Sequence, residues 1–478
     1  MTTTTSRSIA KPLWQQALAT PAPEFPQTQL QILSGTIPDG LRGTLYRNGP
    51  GRLERGGKRV GHWFDGDGAI LAVKFADGAA SGVYRYVQTK KYQEESQVDR
   101  WLYGNYGMLP SGNLWERWGK SLGNAANTSV LALPDRLLAL WEGAEPHALD
   151  LDTLATIGTD SLGSDLTPLV YSAHPKVDPI SGYIYNFGIS IGAQPKLNLY
   201  VSDRSGKVIK STQTKLPRLT TVHDFLMVGN YLVFCLPPIE IQPLPILFGL
   251  ASYSESIKWK PELGTQIMVF DREDLSLVTN FTTEPWYQWH FGNGFVDADG
   301  NIVCDLVRYR DFDTNEFLRE VASGTTQTEA IGALWQLVID PTADKLISSE
   351  QLSDRSCEFP LVESSQVGQE WRYTYLAVHK PNAVLSRELV GTIGRFDRHT
   401  NNLTTADLAS HLYPTEPIHV VDKFDANRGW ILTVVYDGNN HQSEVWIYDC
   451  DRLEESPVCR LGLPSVVPMG FHGTWKTS

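Results

Sequence analysis

Short runs of apolar residues, separated by turn residues, dominate the hydrophobic pattern of the chain. Val, Ile, Tyr, Phe and Trp are concentrated in these runs, and Gly, Asp and Asn lie between them, which is typical of β-strands. The clearest predicted strands are Tyr183–Ile191, Lys196–Val201, Tyr231–Leu236, Gln266–Phe270, Asn301–Val307, Leu334–Ile339, Tyr373–Val378, Trp430–Val435 and Glu444–Tyr448. Helical periodicity is weak and is limited to residues 100–122 and 11–20. We therefore expect an all-β protein.

A repeat becomes visible at the residues that end the strands. A strand that finishes in an Asp turn recurs every 52 to 69 residues, at Asp150, Asp203, Asp271, Asp340, Asp397 and Asp449. Asp suits this position because its carboxylate can accept a hydrogen bond from the backbone two residues further on. Units of this length, with about four short strands each, predict a β-propeller, whose circular closure protects the strand edges. The alternative is a stack of β-sandwiches with ordinary hairpin turns.

Composition and charge exclude several classes of protein. The chain has 478 residues, of which 41% are hydrophobic, and a formal net charge of −13, which argues against nucleic-acid binding. No linker divides the sequence after about residue 30, so we expect an N-terminal extension over residues 1–30 and a single propeller domain, with inserted cap loops, over residues 31–478. The first residues carry no secretory signal and no apolar run is long enough to span a membrane, so we expect a cytoplasmic protein.

A His or a Glu follows each Asp turn by 18 to 24 residues. These six markers are His174, His223, His290, Glu358, Glu416 and His472. Equivalent positions of successive propeller blades meet around the central axis, so we expect the six side chains to converge. Four imidazoles there would form a metal site, with the carboxylates bound to the outer ring N–H groups. Imidazole suits Zn, Cu, Ni and Fe, so the type of ligand leaves the metal open.

Ten motifs, in the same order over almost the whole chain, resemble the carotenoid cleavage oxygenases, a family of non-haem iron enzymes. They are Gly43–Gly51, Phe64–Gly68, Asn124–Thr128, Arg136–Gly143, Ser172–Pro175, Val222–Phe225, Trp289–Asn293, Cys357–Pro360, Pro414–Pro417 and Gly470–Trp475. The resemblance implies a seven-bladed β-propeller with a helical or loop cap over the face that bears the metal. It also implies that one Fe(II) per chain and O2 cleave a conjugated C=C bond of an apocarotenoid or carotenoid into two carbonyl products.

The resemblance further implies roles for individual residues. The implied Fe(II) ligands are His174, His223, His290 and His472, and the implied hydrogen-bonding partners of three of them are Glu142, Glu358 and Glu416. Thr128 matches the position that crowds one open coordination site and leaves another for dioxygen. The implied lining of the substrate tunnel is Phe64, Trp141 and Tyr309.

Within the family, the sequence is most similar to the cyanobacterial-type apocarotenoid 15,15'-oxygenases, which yield retinal-type products from apocarotenals. At the substrate-binding position Thr221 it departs from that pattern, because a bulky aromatic residue is expected there. A wider tunnel would admit bicyclic carotenoids or move the cut to the 9,10 (9',10') bond. Three further functions stay open, namely cleavage of stilbene-type substrates, isomerisation on the same scaffold, and carriage of carotenoid by a protein whose metal is structural.

Two apolar stretches predict how a lipid-dissolved substrate reaches the tunnel. Residues 101–118 and 235–253 are rich in aromatic and aliphatic side chains but are too short to span a bilayer. Such segments suit the membrane interface. We expect them to form the tunnel mouth and to attach the protein peripherally to a membrane. The alternative is that they pack as a cap on the propeller face.

Overall fold

The computed structural model describes residues 12–117, 122–165, 169–192 and 194–478. Antiparallel strands make up most of the regular structure in these ranges, so the prediction of a mainly β protein is confirmed. Each of the nine strands predicted from the sequence overlaps a strand of the structure. Residues 1–11 of the predicted extension and Trp118 of the first apolar stretch lie outside the described ranges.

Six sheets of four or more strands form the body of the described protein. Sheet 1 has the strand order Phe25–Gln29, Ala79–Tyr86, Asp67–Ala76, Gly43–Arg52 and Gly473–Thr477. Sheet 2 has the order Thr156–Thr159, His147–Leu149, Leu137–Leu140 and Ser129–Ala132. Sheet 3 has the order Lys176–Val177, Ile184–Ser190, Lys196–Ser202 and Val208–Lys215.

The other three sheets follow in the second half of the chain. Sheet 4 has the order Leu226–Val228, Tyr231–Leu236, Thr265–Asp271 and Leu277–Thr283. Sheet 5 has the order Tyr287–Val296, Ile302–Tyr309, Gly332–Asp340, Lys345–Leu361, Tyr373–Val378, Thr392–Asp397 and Asn402–Thr405. Sheet 6 has the order Gln31–Gly35, Cys459–Gly462, Gln442–Asp449, Gly429–Asp437 and Leu412–Pro414, with Ile418–Val421 also paired to Gly429–Asp437.

The predicted Asp turns are present in the structure at all six positions. In each of them the Asp Oδ1 atom accepts a hydrogen bond from the backbone N–H two residues further on, with N···O distances of 2.7 to 3.2 Å. The carboxylate thus satisfies a turn donor that the strand ladder leaves free. This local chemistry explains why Asp recurs where these strands end.

Successive sheets pack face to face through buried apolar clusters. Sheets 1 and 2 share one cluster, and further clusters lie between sheets 2 and 3, 3 and 4, 4 and 5, and 5 and 6. Another cluster joins sheet 6 to sheet 1, so the order of contacts returns to its starting point. Sheet 1 also joins the N-terminal and C-terminal regions of the described chain, because Gly43–Arg52 pairs with Gly473–Thr477. Phe25–Gln29, which lies within the predicted extension, is the opposite edge strand of this sheet.

Helices and two small strand pairs lie outside these sheets. The α-helices are Lys90–Val98, Leu114–Arg117, Pro243–Leu247 and Asp313–Ser323, and the 3-10 helices are Leu13–Leu18, Trp63–Asp65, Ser254–Ser256, Pro261–Leu263 and Ser364–Gln366. The two-stranded pairs are Glu54–Arg55 with Lys58–Arg59 and Ile239–Ile241 with Ile257–Trp259. Among the described residues, no helix is both long enough and apolar enough to cross a bilayer.

The helix expected over residues 100–122 is largely wrong. In the described part of this stretch the only α-helix is Leu114–Arg117. Gly104, Gly107, Pro110 and Gly112 interrupt the apolar residues, and each of them disfavours a continuous helix. The helix expected over residues 11–20 is a short 3-10 helix in its described part.

Candidate metal centre

The four predicted histidine ligands occupy equivalent places in four sheets. His174 precedes the strand Lys176–Val177, His223 precedes Leu226–Val228, and His472 directly precedes Gly473–Thr477. His290 lies near the start of Tyr287–Val296. Each of these strands is an edge strand of its sheet. Because the sheets pack in sequence around a common centre, these edges bring one ring nitrogen of each histidine to within 4.8 Å of the others.

The Nε2 atoms of His223 and His290 face each other as lone pairs. The Nε2 atom of His223 lies 3.1 Å from Nε2 of His174 and 3.2 Å from Nε2 of His290. On His223 and His290 the Nδ1 atoms face the carboxylates of Glu142 and Glu358. An ionised carboxylate only accepts hydrogen bonds, so in the neutral rings Nδ1 carries the proton and Nε2 is left with a lone pair.

Two such lone pairs at close distance repel each other unless a cation lies between them. Two imidazole nitrogens that share one ion at about 2.1 Å would lie at most about 4.2 Å apart. The Nε2 separations of 3.1 and 3.2 Å are within this limit. The donor set therefore fits one transition-metal ion held by four neutral imidazoles.

Two of the three glutamate carboxylates are each held by three hydrogen-bond donors. Glu358 accepts hydrogen bonds from His290 Nδ1 at 2.5 Å, from the Tyr309 hydroxyl at 2.9 Å and from its neighbour's backbone N–H, that of Phe359, at 2.7 Å. Glu416 accepts from His472 Nδ1 at 2.9 Å, and its other oxygen accepts from Arg47 and from the backbone N–H of Gly473. With three donors each, these side chains have little freedom to rotate.

Glu142 supports the centre from a more open position. Its carboxylate contacts His223 Nδ1, but the side chain is 39% exposed and borders a large cavity. No other hydrogen bond to the Glu142 carboxylate is found among the described residues. The carboxylates that contact His290 and His472 are therefore held by more hydrogen bonds than the carboxylate that contacts His223.

Burial and neighbouring charges set the protonation of the centre. Burial and the rings of His223, His472 and His290 lower the pKa of His174 well below its usual value. Burial also lowers the pKa of His472, against the opposing effect of Glu416. Burial lowers the pKa of His290 too, but the carboxylates of Glu358, Asp224 and Glu416 together raise it above its usual value. Burial alone would raise the pKa of Glu416, but His472 and Arg47 lower it below its usual value.

Asp224 and Arg47 support the centre, although the sequence alone gave neither of them a role. The Asp224 carboxylate lies 3.9 Å from Nδ1 of His174, the histidine without a predicted glutamate, and it accepts from Lys176 Nζ at 2.7 Å. Arg47 forms a buried ion pair with Glu416 at 2.9 Å. Both residues lie within family motifs, so their positions in Val222–Phe225 and Gly43–Gly51 were the available signal.

A cavity of about 860 Å³ lies against the histidine cluster. His223, His290 and His472 form part of its wall, and most of the remaining lining is apolar or aromatic. All of the predicted substrate-contacting residues line it, namely Phe64, Trp141, Thr221 and Tyr309. Thr128 also lines the cavity, and its backbone carbonyl accepts from the N–H of His472 at 3.3 Å. Thr128 therefore lies beside one ligand of the centre.

The two apolar stretches, residues 101–118 and 235–253, contact each other beside this cavity. The rings of Tyr106 and Tyr253 contact each other with their centroids 5.5 Å apart, and the Tyr106 hydroxyl donates to Asn315 in the helix Asp313–Ser323 at 2.8 Å. Tyr106 from the first stretch and Leu244 and Leu247 from the second line the cavity. Leu244 and Leu247 are also 62% and 50% exposed. The second stretch therefore joins the cavity to the protein surface.

Comparison with known proteins identifies the family. Residues 18–477 match the family described as "RPE65: Retinal pigment epithelial membrane protein". An apocarotenoid-15,15'-oxygenase of Synechocystis sp. is 33% identical over 467 residues, which cover 93% of this chain and 92% of that protein. The chain belongs to the RPE65/carotenoid oxygenase family. An isoeugenol monooxygenase of Pseudomonas nitroreducens is 26% identical, with 93% of each chain covered.

Solved structures agree with the family membership. A cobalt-substituted Synechocystis apocarotenoid oxygenase is 30% identical and superimposes with a TM-score of 0.89 over 98% of each chain. A chimera of that oxygenase and RPE65 superimposes with a TM-score of 0.87 over the same share of each chain. The relatives from Synechocystis and Pseudomonas are oxygenases, and this member of the family is an enzyme of that class.

Proposed function

We propose that this enzyme is a non-haem Fe(II) dioxygenase that cleaves one conjugated C=C bond of an apocarotenoid or carotenoid with O2. The observation that carries the proposal is the set of four histidine nitrogens within 4.8 Å of one another at the wall of a large apolar cavity. A long apolar polyene fits such a cavity, and four neutral ligands leave coordination positions open on a six-coordinate ion. One Fe(II) per chain accounts for the oxygenase class of the relatives.

The proposed architecture is a seven-bladed propeller with a cap. Sheet 5 divides at its long strand Lys345–Leu361 into two four-stranded halves, which together with the other five sheets gives seven units. Each unit contributes one residue to the centre, at or beside an edge strand or the shared strand of sheet 5. The seven are Thr128, His174, His223, His290, Glu358, Glu416 and His472. We assign the cap to the two apolar stretches and the helix Asp313–Ser323, and the single catalytic domain to residues 31–478. Residues 1–30 are assigned as an N-terminal extension, of which Phe25–Gln29 lies on sheet 1.

The chain's own residues would perform four tasks. Bound to His174, His223, His290 and His472, Fe(II) would supply the binding and activation of dioxygen. Glu142, Glu358 and Glu416 would hold three of the rings with Nε2 directed at the ion. Thr128 would fill the space beside one coordination position. The apolar wall, including Phe64 and Trp141, would hold one double bond of the polyene near the centre and exclude water.

We assign the cut to the 15,15' bond of apocarotenals, with retinal-type products. The similarity to the Synechocystis 15,15'-oxygenase over almost the full length supports this assignment. Cleavage at the 9,10 (9',10') bond is the second candidate, because Thr221 replaces an expected aromatic residue in the cavity wall. A pea relative named carotenoid 9,10(9',10')-cleavage dioxygenase is 28% identical to this chain. Stilbene-type cleavage is a third, supported by the similarity to a named resveratrol cleavage oxygenase.

We further propose that the enzyme is cytoplasmic and attaches peripherally to membranes. Exposed Leu244, Leu247 and Leu250 support the membrane attachment, because exposed apolar groups at one site favour insertion into the lipid headgroup region. A polyene dissolved in the bilayer would then enter the cavity without crossing water.

Anaerobic loading with Fe(II), followed by addition of air and β-apo-8'-carotenal, tests the proposal. Products are identified by mass spectrometry, with metal-free and Zn-loaded protein as controls. Retinal is the expected product. A thirteen-carbon ketone instead would move the cut to the 9,10 bond and overturn the 15,15' assignment. Stoichiometric iron without product from apocarotenals, carotenoids or a stilbene would overturn the dioxygenase proposal and favour a carrier.

A further inference from the structure

A hydrogen bond links the two segments that carry His223 and His290. Asp224 directly follows His223 in the sequence, and its Oδ2 atom accepts from the backbone N–H of Phe291 at 2.9 Å. Phe291 directly follows His290, so this bond joins the residues next to both ligands. The other oxygen of Asp224, Oδ1, accepts from the backbone N–H of Phe225 at 2.8 Å. That second bond fixes the orientation of the carboxylate on its own segment.

The same carboxylate also contacts the segment of a third histidine. Lys176 follows His174 by two residues, and its Nζ atom forms an ion pair with Oδ1 of Asp224 at 2.7 Å. The side chain of Asp224 is 2% exposed and that of Lys176 is 20% exposed, so the pair is largely shielded from water. Three of the four segments that carry the histidines therefore meet at one buried carboxylate.

The two backbone donors belong to residues that are packed tightly in the core. Phe225 is buried in the cluster between sheets 3 and 4, and Phe291 is buried in the cluster between sheets 4 and 5. A close-packed core resists displacement of such rings. Asp224 therefore connects two rigid parts of the core, and the length of this connection affects the spacing of the histidines beside them.

The ring nitrogens explain why the centre needs this connection. The Nε2 atoms of His223 and His290 lie 3.2 Å apart, and their lone pairs repel each other before an ion binds. The hydrogen bond between Asp224 and Phe291 opposes the separation of the two rings, because it restrains the backbone beside each of them. Ligands that are already in place bind an ion more tightly, since less conformational freedom is lost on binding.

We propose that Asp224 is a positioning residue that sets the spacing of His174, His223 and His290 for the metal ion. It acts through the backbone beside two of these ligands and through Lys176 beside the third, and it does not bind the ion itself. This role differs from that of the three glutamates, which contact the Nδ1 atoms of the rings. The inference deepens the proposed function and rests on its metal centre.

Cobalt binding by metal-free protein tests this inference without depending on cleavage. Co(II) is the probe, because its d–d absorption bands change with the geometry of its ligands. Asp224→Asn keeps the size of the side chain, but its NH2 group must face either the N–H of Phe291 or the donors of Lys176 and Phe225. We expect Co(II) affinity to fall by about tenfold, as for other residues that support metal ligands, and the d–d bands to shift.

Glu444→Gln is the matched control for this variant. Glu444 is a buried carboxylate of sheet 6 that pairs with Arg460 at 2.8 Å and does not line the cavity. Both variants should lower the free energy of unfolding of metal-free protein in urea, because each leaves a cation without its carboxylate. Glu444→Gln should nevertheless keep the wild-type affinity for Co(II) and the wild-type d–d bands. The two variants thus separate positioning of the ligands from stability of the fold.

Lys176→Met carries the test if Asp224→Asn fails to fold. This variant removes only the ion pair, so Co(II) affinity should fall by about threefold, the effect of a partly exposed pair. Wild-type affinity and unchanged bands in folded Asp224→Asn, or in Lys176→Met where that variant carries the test, would overturn the inference. Cobalt binding as expected, without cleavage of any tested substrate by the iron-loaded enzyme, would overturn only the proposed function.

Discussion

The histidine centre and the cavity mouth border the same cavity, yet they are built in different ways. At the centre two of the three glutamates are each held by three donors, as Glu416 is by His472, Arg47 and the backbone of Gly473. At the mouth, Leu244 and Leu247 are at least half exposed and belong to the short helix Pro243–Leu247. The histidine centre therefore depends on individual hydrogen bonds and ion pairs, whereas the cavity mouth depends on the total apolar surface that its side chains expose.

This difference predicts how each region responds to substitution. Removing one partner at the centre leaves another buried polar or charged group unsatisfied, and the cost of that group adds to the lost contact. Removing one apolar side chain at the mouth takes away only part of a surface that other side chains share. Single substitutions at the centre should therefore have large effects, and those at the mouth small and cumulative ones.

The largest effect is expected from His290→Ala. This change removes one of the four nitrogen donors and leaves Glu358 buried without its ring partner. Iron affinity should fall by more than about 100-fold, because loss of a ligand costs more than the 10- to 100-fold typical of its hydrogen-bonding partners. Iron content after reconstitution and the dissociation constant measured by competition with a chelator check the result.

His399→Ala is the matched control for that experiment. His399 is exposed and lies in an Asp turn, where its backbone rather than its ring makes the turn hydrogen bond. Iron binding should be unchanged in this variant. Normal iron content in a folded His290→Ala protein would contradict the four-histidine centre.

The same contrast explains what the sequence could predict. The histidine cluster could be predicted because each Asp turn is followed by a His or a Glu at a similar spacing. Residues with the same spacing lie at equivalent strand edges, and these edges face a common centre, so the four histidines come together. The strands could be predicted for a similar reason, since runs of β-branched and aromatic residues ended by turn residues carry a local signal.

The contacts that the sequence could not predict depend on side-chain directions across distant segments. Arg47 reaches Glu416 across 369 residues, and Tyr309 reaches Glu358 from a strand two positions away in sheet 5. The helix Asp313–Ser323 was also missed, because it is a short insertion between two strands in a strongly β context.

Two glutamates within the centre sharpen the comparison. Glu416→Gln should weaken iron binding by about 100-fold, because Glu416 is buried and is held by three donors. Glu142→Gln should weaken it by about 10-fold, because Glu142 is partly exposed. These values are the two ends of the range expected for residues that hydrogen-bond to metal ligands. Glu416→Gln should also lower the free energy of unfolding by about 3 kcal/mol, since Arg47 would remain buried without a counter-charge. Chelator competition and urea unfolding measure the two effects. Equal losses in both variants would mean that burial of the carboxylate does not set its importance.

The smallest effect is expected at the mouth. The double substitution of Leu247→Ser and Phe248→Ser should lower the affinity for liposomes by about fivefold, because both side chains are about half exposed and would lose their transfer into lipid. Iron content should stay at the wild-type level, since neither residue contacts the histidines. The matched control is Ile180→Ser with Val384→Ser, two exposed apolar residues that do not line the cavity. Liposome flotation compares the three proteins, and equal flotation of all three would mean that this mouth is a cap packed on the sheets and does not contact the membrane.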